Sequence, residues 1–445
     1  MQWVCRAHPE PSGAGPRFIM LANGQEEVSR GDLNGSPAHS GPERVACPDC
    51  GLMQFMPPAR LPCVIECSRC GRVLAGPATG RVDRPLALSL AALLLLLPAW
   101  TVPLMRISTY GAMRTSWVPS AATGMWQDGF ASLAVLVAAF GMALPAVFLG
   151  LMIWVLMRLH CGYPRGLGPV FRWVKHLRAW LMVEVYLVGC FVAYSRLKIV
   201  AAVDVGPGGW LLIAATLALL LALTQLDERT VWQALEPHDG AGIPARTGIA
   251  CSVCDLISAR APSGRQRCRR CSAVLHVRKP DSLRRTAALV AAGFILYVPA
   301  NLLPVLSIVR FGRVDDNTIL SGVVELIEND LWPLAVIVFA ASIELPLLKL
   351  CGLTWMLIAT RARSAAWLVP RTRFYRMIDV VGRWSNIDVF MVSILVAILQ
   401  FGALTSVHAG DGLIAFAAVV LVTMIATESF DSRLMWDATQ GSLHG

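Results

Sequence analysis

FASLAVLVAAFGMALPAVFL occupies residues 130–149, and LWPLAVIVFAASIELPLLKL occupies residues 331–350. Set 201 positions apart, the two agree at eight of twenty residues, including Pro145 and Pro346. Each is long and apolar enough to cross the hydrocarbon core of a bilayer, which takes about 20 residues. The second stretch carries Glu344 and Lys349 where the first has Ala143 and Phe148. The pair describes a membrane protein built by duplication, in which one copy keeps charges that the other lacks.

Working outward, the composition agrees. Of 445 residues, 56% are hydrophobic and only 15% charged, too little polar surface for a soluble protein. Eight apolar stretches are expected to span: 86–105, 130–157, 179–200, 209–226, 286–309, 331–358, 384–404 and 412–430. Lys and Arg concentrate in 158–178 (five), 227–285 (eleven) and 359–383 (six), and thin out in the alternate loops. By the positive-inside rule both chain ends and the central linker lie in the cytoplasm. The net charge of +10 is mostly this bias and reads as contact with anionic headgroups, not nucleic acid. Residues 1–46 are polar, with no basic and apolar leader to cleave, and read as a disordered tail or a stretch before a later start.

The duplication runs along the whole chain. LPAWTVPLMRI (97–107) matches VPANLLPVLSI (298–308), placing Pro98 and Pro103 on Pro299 and Pro304. WLMVEVYLVG (180–189) matches WSNIDVFMVS (384–393) at an offset of 204, placing Glu184 on Asp388. TQLDERTVW (224–232) matches ESFDSRLMW (428–436), with Asp227, Arg229 and Trp232 on Asp431, Arg433 and Trp436. Four spans per unit is an even number, so the two units are parallel repeats related by an axis along the membrane normal.

Eight of thirteen cysteines form two sets: Cys47, Cys50, Cys67, Cys70 and Cys251, Cys254, Cys268, Cys271. Two residues between cysteines let one tight turn aim both thiolates at a single ion. Two such turns complete a closed tetrahedral site that suits structural Zn²⁺, two ions in all. The expected side of the membrane is reducing, which disfavours disulfides. An iron–sulfur centre and a redox dithiol are the other readings. Cys63 lies near the first set as a decoy or a substitute ligand. Cys5, Cys161, Cys190 and Cys351 read as lone thiols, and His276 as a surface residue. The expected order is ribbon 47–80, spans 81–235, ribbon 247–279, spans 280–440.

Ionisable residues inside spans are expensive against lipid and are expected to face protein or water. Lys349, Asp388, Glu184 and Glu344 are the candidates, with Ser385, Ser393 and Thr423 to extend a polar network between spans three, six and seven. Lys349 is the buried cation of that reading, and Asp388 or Glu184 its partner. The bland reading of the two acids is a cap or salt bridge near a helix start. Each unit has two prolines expected in its first span and one in its second. These kink helices, or else they form hinges and cavity walls. Arg196 and Lys198 are expected to snorkel to the headgroups. GPGG (206–209) reads as a turn. No phosphate loop, zinc-protease or nucleophile motif is present, and the chain is not read as an enzyme.

These features resemble the PqiA/LetA family, the paraquat-inducible protein A proteins of bacterial inner membranes. The likeness rests on the CxxC…CxxC ribbons, on LWPLAVIVFAASIELPLLKL, on WSNIDVFMVSILVA and on TESFDSRLMWD, and it covers residues 47–437. It implies an inner-membrane partner of an envelope-bridging MCE-domain protein, moving phospholipid or similar lipid between two membranes. The expected fold is an all-α polytopic bundle of eight spans in two parallel repeats, each preceded by a Cys₄ ribbon. Lipid transport is the leading reading, a proton relay is one use the polar network could serve in it, and a ribbon-bearing scaffold or sensor with no transport of its own is the alternative.

Overall fold

The computed structural model describes residues 3–7, 18–22, 25–29, 43–56, 63–76, 82–109, 112–200, 202–235, 248–261, 266–310, 313–399 and 405–440. Among them are eight helical segments long and apolar enough to cross a membrane: Asp83–Thr101, Ala131–His160, Gly168–Lys198, Pro207–Gln225, Ser282–Leu302, Trp332–Arg361, Leu368–Ile398 and Asp411–Ser429. We number them spans 1 to 8. Within each unit the first and last spans pack along each other, span 1 on span 4 and span 5 on span 8.

Between the units, span 3 packs on span 7. Two contacts there join sequence equivalents at the offset of 204. Asn386 Nδ2 donates to Met182 Sδ at 2.8 Å, and the rings of Tyr186 and Phe390 meet edge to face at 5.2 Å. A residue touches its own equivalent only on a two-fold axis. Two such contacts, one helical turn apart, lay that axis along the bundle and confirm the parallel duplication. Gly189 permits the approach, because a Cβ there would lie 3.0 Å from Phe390 Cβ and 3.3 Å from the Ile387 carbonyl.

Pro98 and Pro299 lie inside their first-span helices as expected, while the other matched prolines sit beside a helix irregularity or beyond a helix end. Pro145 and Pro346 each follow a π-helical turn, Ala139–Ala143 and Ala340–Glu344. Leu144 N–H bonds to Ala139 O, and Leu345 N–H to Ala340 O, five residues back rather than four. The wider turn makes room for a ring that cannot donate, and the helix continues to His160 or Arg361. Pro103 and Pro304 lie outside the helices, which end at Thr101 and Leu302. The residue before a proline is pushed out of the helical region, and Val102 and Leu303 are extended, with ψ of 147° and 149°. The apolar residues that follow are strands, not the ends of spans 86–105 and 286–309.

These strands build one small antiparallel sheet per unit at what we call the hairpin end. Met105–Thr109 lies between Ala202–Val205 and Ala112–Ser116, and Leu306–Arg310 between Thr405–Ala409 and Arg313–Asn317. The GPGG stretch turns into span 4. A Cβ on Gly206 or Gly410 would lie 2.2 or 2.1 Å from the carbonyl oxygen of Pro103 or Pro304, so only glycine lets the span entry seat there.

The opposite end carries the cysteine ribbons, which exchange units. The first ribbon's cysteines pack with Val290, Leu350, Leu353, Phe430 and Trp436 of the second unit. The second ribbon docks on the first unit. Lys175 Nζ donates to Val253 O at 2.6 Å, and Gly168 sits so close that a Cβ would meet Arg270 O at 1.8 Å. In the stretch read as a polar tail, strands Trp3–Ala7, Phe18–Ala22 and Gln25–Ser29 form a sheet that continues onto Cys63–Cys67 of the first ribbon. The remaining residues up to 42 lie outside the described ones.

Gly189→Leu drives a side chain into Phe390 on the axis, and overpacking of this kind costs about 1–3 kcal/mol. We expect a lowered thermal midpoint in detergent. Gly150→Ala, with nothing within 4 Å of the new methyl, leaves the midpoint unchanged or raised.

Candidate functional site

The two cysteine sets are assembled as the spacing requires. In each set the four Sγ atoms are buried and lie within 4.8 Å of one another. The close pairs are Cys47–Cys70 at 3.5 Å, Cys50–Cys67 at 3.6 Å, Cys251–Cys271 at 3.5 Å and Cys254–Cys268 at 3.4 Å. A disulfide needs about 2.0 Å. A tetrahedron with metal–sulfur bonds of about 2.3 Å has edges of about 3.8 Å. The donor sets therefore fit one metal ion each, with no position left open. After each second cysteine the chain turns left-handed, at Gly51 (φ 72°), Gly71 (φ 66°), Asp255 (φ 58°) and Ser272 (φ 58°). That turn aims an N–H back at the carbonyl of the first cysteine, as in Gly51 N to Cys47 O at 2.9 Å. Cys161 and Cys351 are exposed and Cys190 is buried, each away from the clusters. His276 is exposed. The side chains of Cys5 and Cys63 lie outside the described residues.

Arginines surround the first cluster. Asp49, almost fully buried, pairs with Arg72 of its own ribbon and with Arg376 of span 7 at 2.6 Å. Burial opposes the Arg72 charge, but the Asp49 carboxylate more than offsets it and holds the guanidinium above its ordinary value. Arg376 Nη2 also donates to Cys70 O at 3.0 Å, and Arg69 stacks over the Trp436 ring at 4.4 Å. Asp431 is buried as well, yet its fork to Arg433 holds its carboxyl below the usual range. Lys279, beside it, is pushed down by burial against the pull of Asp431.

Inside the bundle the predicted network divides into two levels. Lys349 is 2% exposed and donates to Gly382 O at 2.7 Å and Thr423 Oγ1 at 3.4 Å. Gly382 is what makes the place. A Cβ there would lie 2.1 Å from Lys349 Cε, so any side chain evicts the lysine. Span 7 is broken at this point, passing from Leu368–Val381 through a tight turn, Gly382–Asn386, to Ile387–Ile398. The Gly382 carbonyl that receives Lys349 stands at the start of this turn. Lys349 and Gly382 face a cleft of about 270 Å³, whose charged walls are Lys175, Arg178 and Glu228 of the first unit with Asp379 and Glu428 of the second.

Asp388 stands on the second level, in the first turn of Ile387–Ile398, and bonds to Ser342 instead of Lys349. Ser342 lies in the π turn and is seven residues before Lys349, about 10 Å along a helix. Its hydroxyl also reaches Val338 O at 2.6 Å. A serine has a single proton to give. Asp388 and Val338 O therefore compete for it. Ser385 sits between the levels, its buried Oγ without a partner, beside the equally unpartnered Asn386 Oδ1.

Ser393 and Glu344 lie elsewhere, and Glu184 holds a helix start of the first unit. Ser393 bonds within its own helix to Phe390 O at 2.7 Å. Glu344 is on the outward face of the π turn and joins neither level. Glu184 is half-buried in the first turn of Val183–Val200, where a carboxylate suits the helix N-terminus. Sequence reasoning missed Ser342 and Gly382. The duplication holds a trace of both: their equivalents are Gly141 and Arg178, and Lys349's is Phe148.

Elemental analysis of the purified chain is expected to find two ions per chain, and Cys50→Ser with Cys70→Ser to leave one. Chelation removes binding energy that is folding energy for so small a ribbon and lowers the thermal midpoint. Asp431 adds a pH signature. Its folded-state carboxyl titrates below the unfolded value of about 3.9, so its stabilisation is full above that value and fades as pH falls through the folded one. Asp431→Asn is expected to lower stability at neutral pH and to flatten the acid limb of the stability curve.

Known proteins complete the description. The family described as Paraquat-inducible protein A matches residues 82–236 and 283–440. The chain is 29% identical to the protein named Intermembrane transport protein PqiA of Escherichia coli strain K12, over 91% of this chain and 98% of that one. It is also 29% identical to the Lipophilic envelope-spanning tunnel protein A of the same strain, over 93% of each. A probable intermembrane transport protein of Haemophilus influenzae is 26% identical over 83% of this chain and 90% of its own. No solved structure matches. Two matched units, eight spans and a cysteine cluster ahead of each unit make this chain a multi-pass membrane protein that belongs to the paraquat-inducible protein A family.

Proposed function

We propose that the protein is the inner-membrane subunit of an intermembrane lipid-transport system. It passes phospholipid or a similar lipid to or from an envelope-bridging MCE-domain partner. The names of the relatives support transport between membranes, and the resemblance in sequence supplies the lipid and the partner. The ribbon end faces the cytoplasm in this reading, in keeping with the Lys and Arg bias of 158–178 and 359–383. The ions are Zn²⁺, which suits closed Cys₄ sites, and they are structural.

The observation that carries the reading is Lys349. A lysine at the centre of a span costs about 3 kcal/mol by insertion scales. A helix that only anchored an assembly would have no use for it. Here a glycine is left bare to receive its stem, that glycine's carbonyl accepts from its ammonium, and a charged cleft opens beside it. One level away, Asp388 and Ser342 form a hydrogen bond whose direction depends on one proton. Proton arrival at Asp388 releases Ser342 to its own helix and loosens the hold of span 7 on the π turn of span 6. The broken turn 382–386, which carries the buried Ser385 between Gly382 and Asp388 in the chain, is the hinge.

The test is exchange of fluorescent phospholipid by the chain and its partner in proteoliposomes, with an imposed proton gradient. Lys349→Ala and Asp388→Asn are expected to bring exchange to background. Gly382→Ala, which touches no charge but displaces Lys349, is expected to behave like Lys349→Ala. Full exchange by all three variants would establish the scaffold or sensor reading instead.

A further inference from the structure

Arg196 was expected to reach out to the headgroups, and the structure turns it inward. It lines a small cavity of about 30 Å³ together with Asp388, Asn317, Thr318, Gly322 and Phe416. Its Nη2 donates to Gly322 O at 3.3 Å, and Gly322 makes the room, since a Cβ there would lie 3.3 Å from the same nitrogen. Two atoms on the walls are buried and without a partner: Arg196 Nε and Asp388 Oδ1. One belongs to span 3 of the first unit and the other to span 7 of the second. They carry opposite charges, and each is the other's electrostatic neighbour. Glu325, on the short helix Ile319–Glu328 with Gly322, is the other acid that Arg196 feels.

A water needs roughly 10–15 Å³ of such space and two or more polar partners. The cavity offers both. Leaving a carboxylate oxygen and a guanidinium N–H unsatisfied in the same dry space would cost more than immobilising a water between them. The equivalent of Arg196 in the second unit is Gln400, so the first unit supplies a cation that the second cannot return.

We propose that Arg196 and Asp388 form a water-bridged ion pair that latches the first unit to the second on the hairpin side of the buried acid. Arg196 is then a positioning residue. It holds the free oxygen of Asp388 while Ser342 holds the other, and it gives Asp388 its counter-charge where Lys349 does not reach. The inference rests on the transport reading only for the use made of Asp388. The latch itself is a statement about structure.

The test is a double-mutant cycle on the full chain in one detergent, reading the thermal midpoint. Arg196→Gln and Asp388→Asn are each expected to lower the midpoint, because each strands a buried charge. Together they are expected to lower it by clearly less than the sum. Arg196→Lys, which keeps the charge without the planar fork, is expected to fall between wild type and Arg196→Gln. The pair Arg196→Gln with Glu325→Gln serves as comparison and is expected to couple less. If a single variant does not accumulate folded, the second substitution is expected to restore it, and failure to restore overturns the latch. Additivity of the Arg196 and Asp388 changes overturns it too. Additivity with exchange still lost in Lys349→Ala sinks the latch and leaves the transport reading. Coupling with exchange untouched by Lys349→Ala does the reverse.

Discussion

The contact between spans 3 and 7 is the constraint on which the rest depends. Two equivalent helices lie against each other along the two-fold axis, close enough that a methyl group on Gly189 would press on Phe390 and the Ile387 carbonyl. Met182 meets Asn386 and Tyr186 meets Phe390, each residue facing its own counterpart. The bilayer's hydrocarbon supplies no water to a backbone or charge left open at such a junction, so polar groups there turn to protein or to enclosed water. Broken segments flank the contact, 180–182 in one unit and 382–386 in the other, and in the second Gly382, Ser385 and Asn386 are buried. Lys349, Asp388, Ser342 and Arg196 are all ordered around this line.

Duplication made the scaffold symmetric, and a few substitutions made the interior asymmetric. The second unit has Lys349, Gly382 and Ser342, and the first has Phe148, Arg178 and Gly141 at the equivalent places. These differences act together. A lysine stem needs the vacancy of Gly382. Arg178 instead turns to Glu228 at 2.5 Å in the charged cleft, and the buried Phe148 fills the site of the lysine with carbon. Gly141 lies under Tyr186, whereas Ser342 reaches Asp388. At these three places the first unit is packed with carbon or turned to the cleft, and the second is polar inside.

The ribbons tie the halves together by exchange. The first ribbon holds span 7 through Asp49 and Arg376, and the second sits on the start of span 3 through Lys175 and Gly168. Each cluster is thus fastened to one of the two central helices, on the unit to which it does not lead in sequence. Arginines around the first cluster also suit a site in which four thiolates outweigh the charge of one divalent ion. A ribbon of this size has too little core to fold unaided, so a metal bound by its four cysteines would hold the crossing as well.

Much of this was legible in the chain. Eight apolar stretches, the doubled spacing of the cysteines and the offsets of 201 and 204 are local or periodic patterns, and they settled the number of spans, the parallel repeat and the Cys₄ sets. The strands at 105–109 and 306–310 were not separable from the spans before them, because a short apolar run looks alike as strand or helix. Pro103 and Pro304 marked the boundary, through the extended residue that a proline requires before it. Pairing was beyond the sequence. Which ribbon docks on which unit, why Gly382 is bare, why Asp388 meets Ser342 instead of Lys349, and why Arg196 faces inward all turn on side chains brought together from distant parts of the chain. The sequence by itself determined that charges would lie in the membrane. Only the tertiary structure decided their partners, because a partner is a matter of distance across helices, and no periodicity along one helix records it.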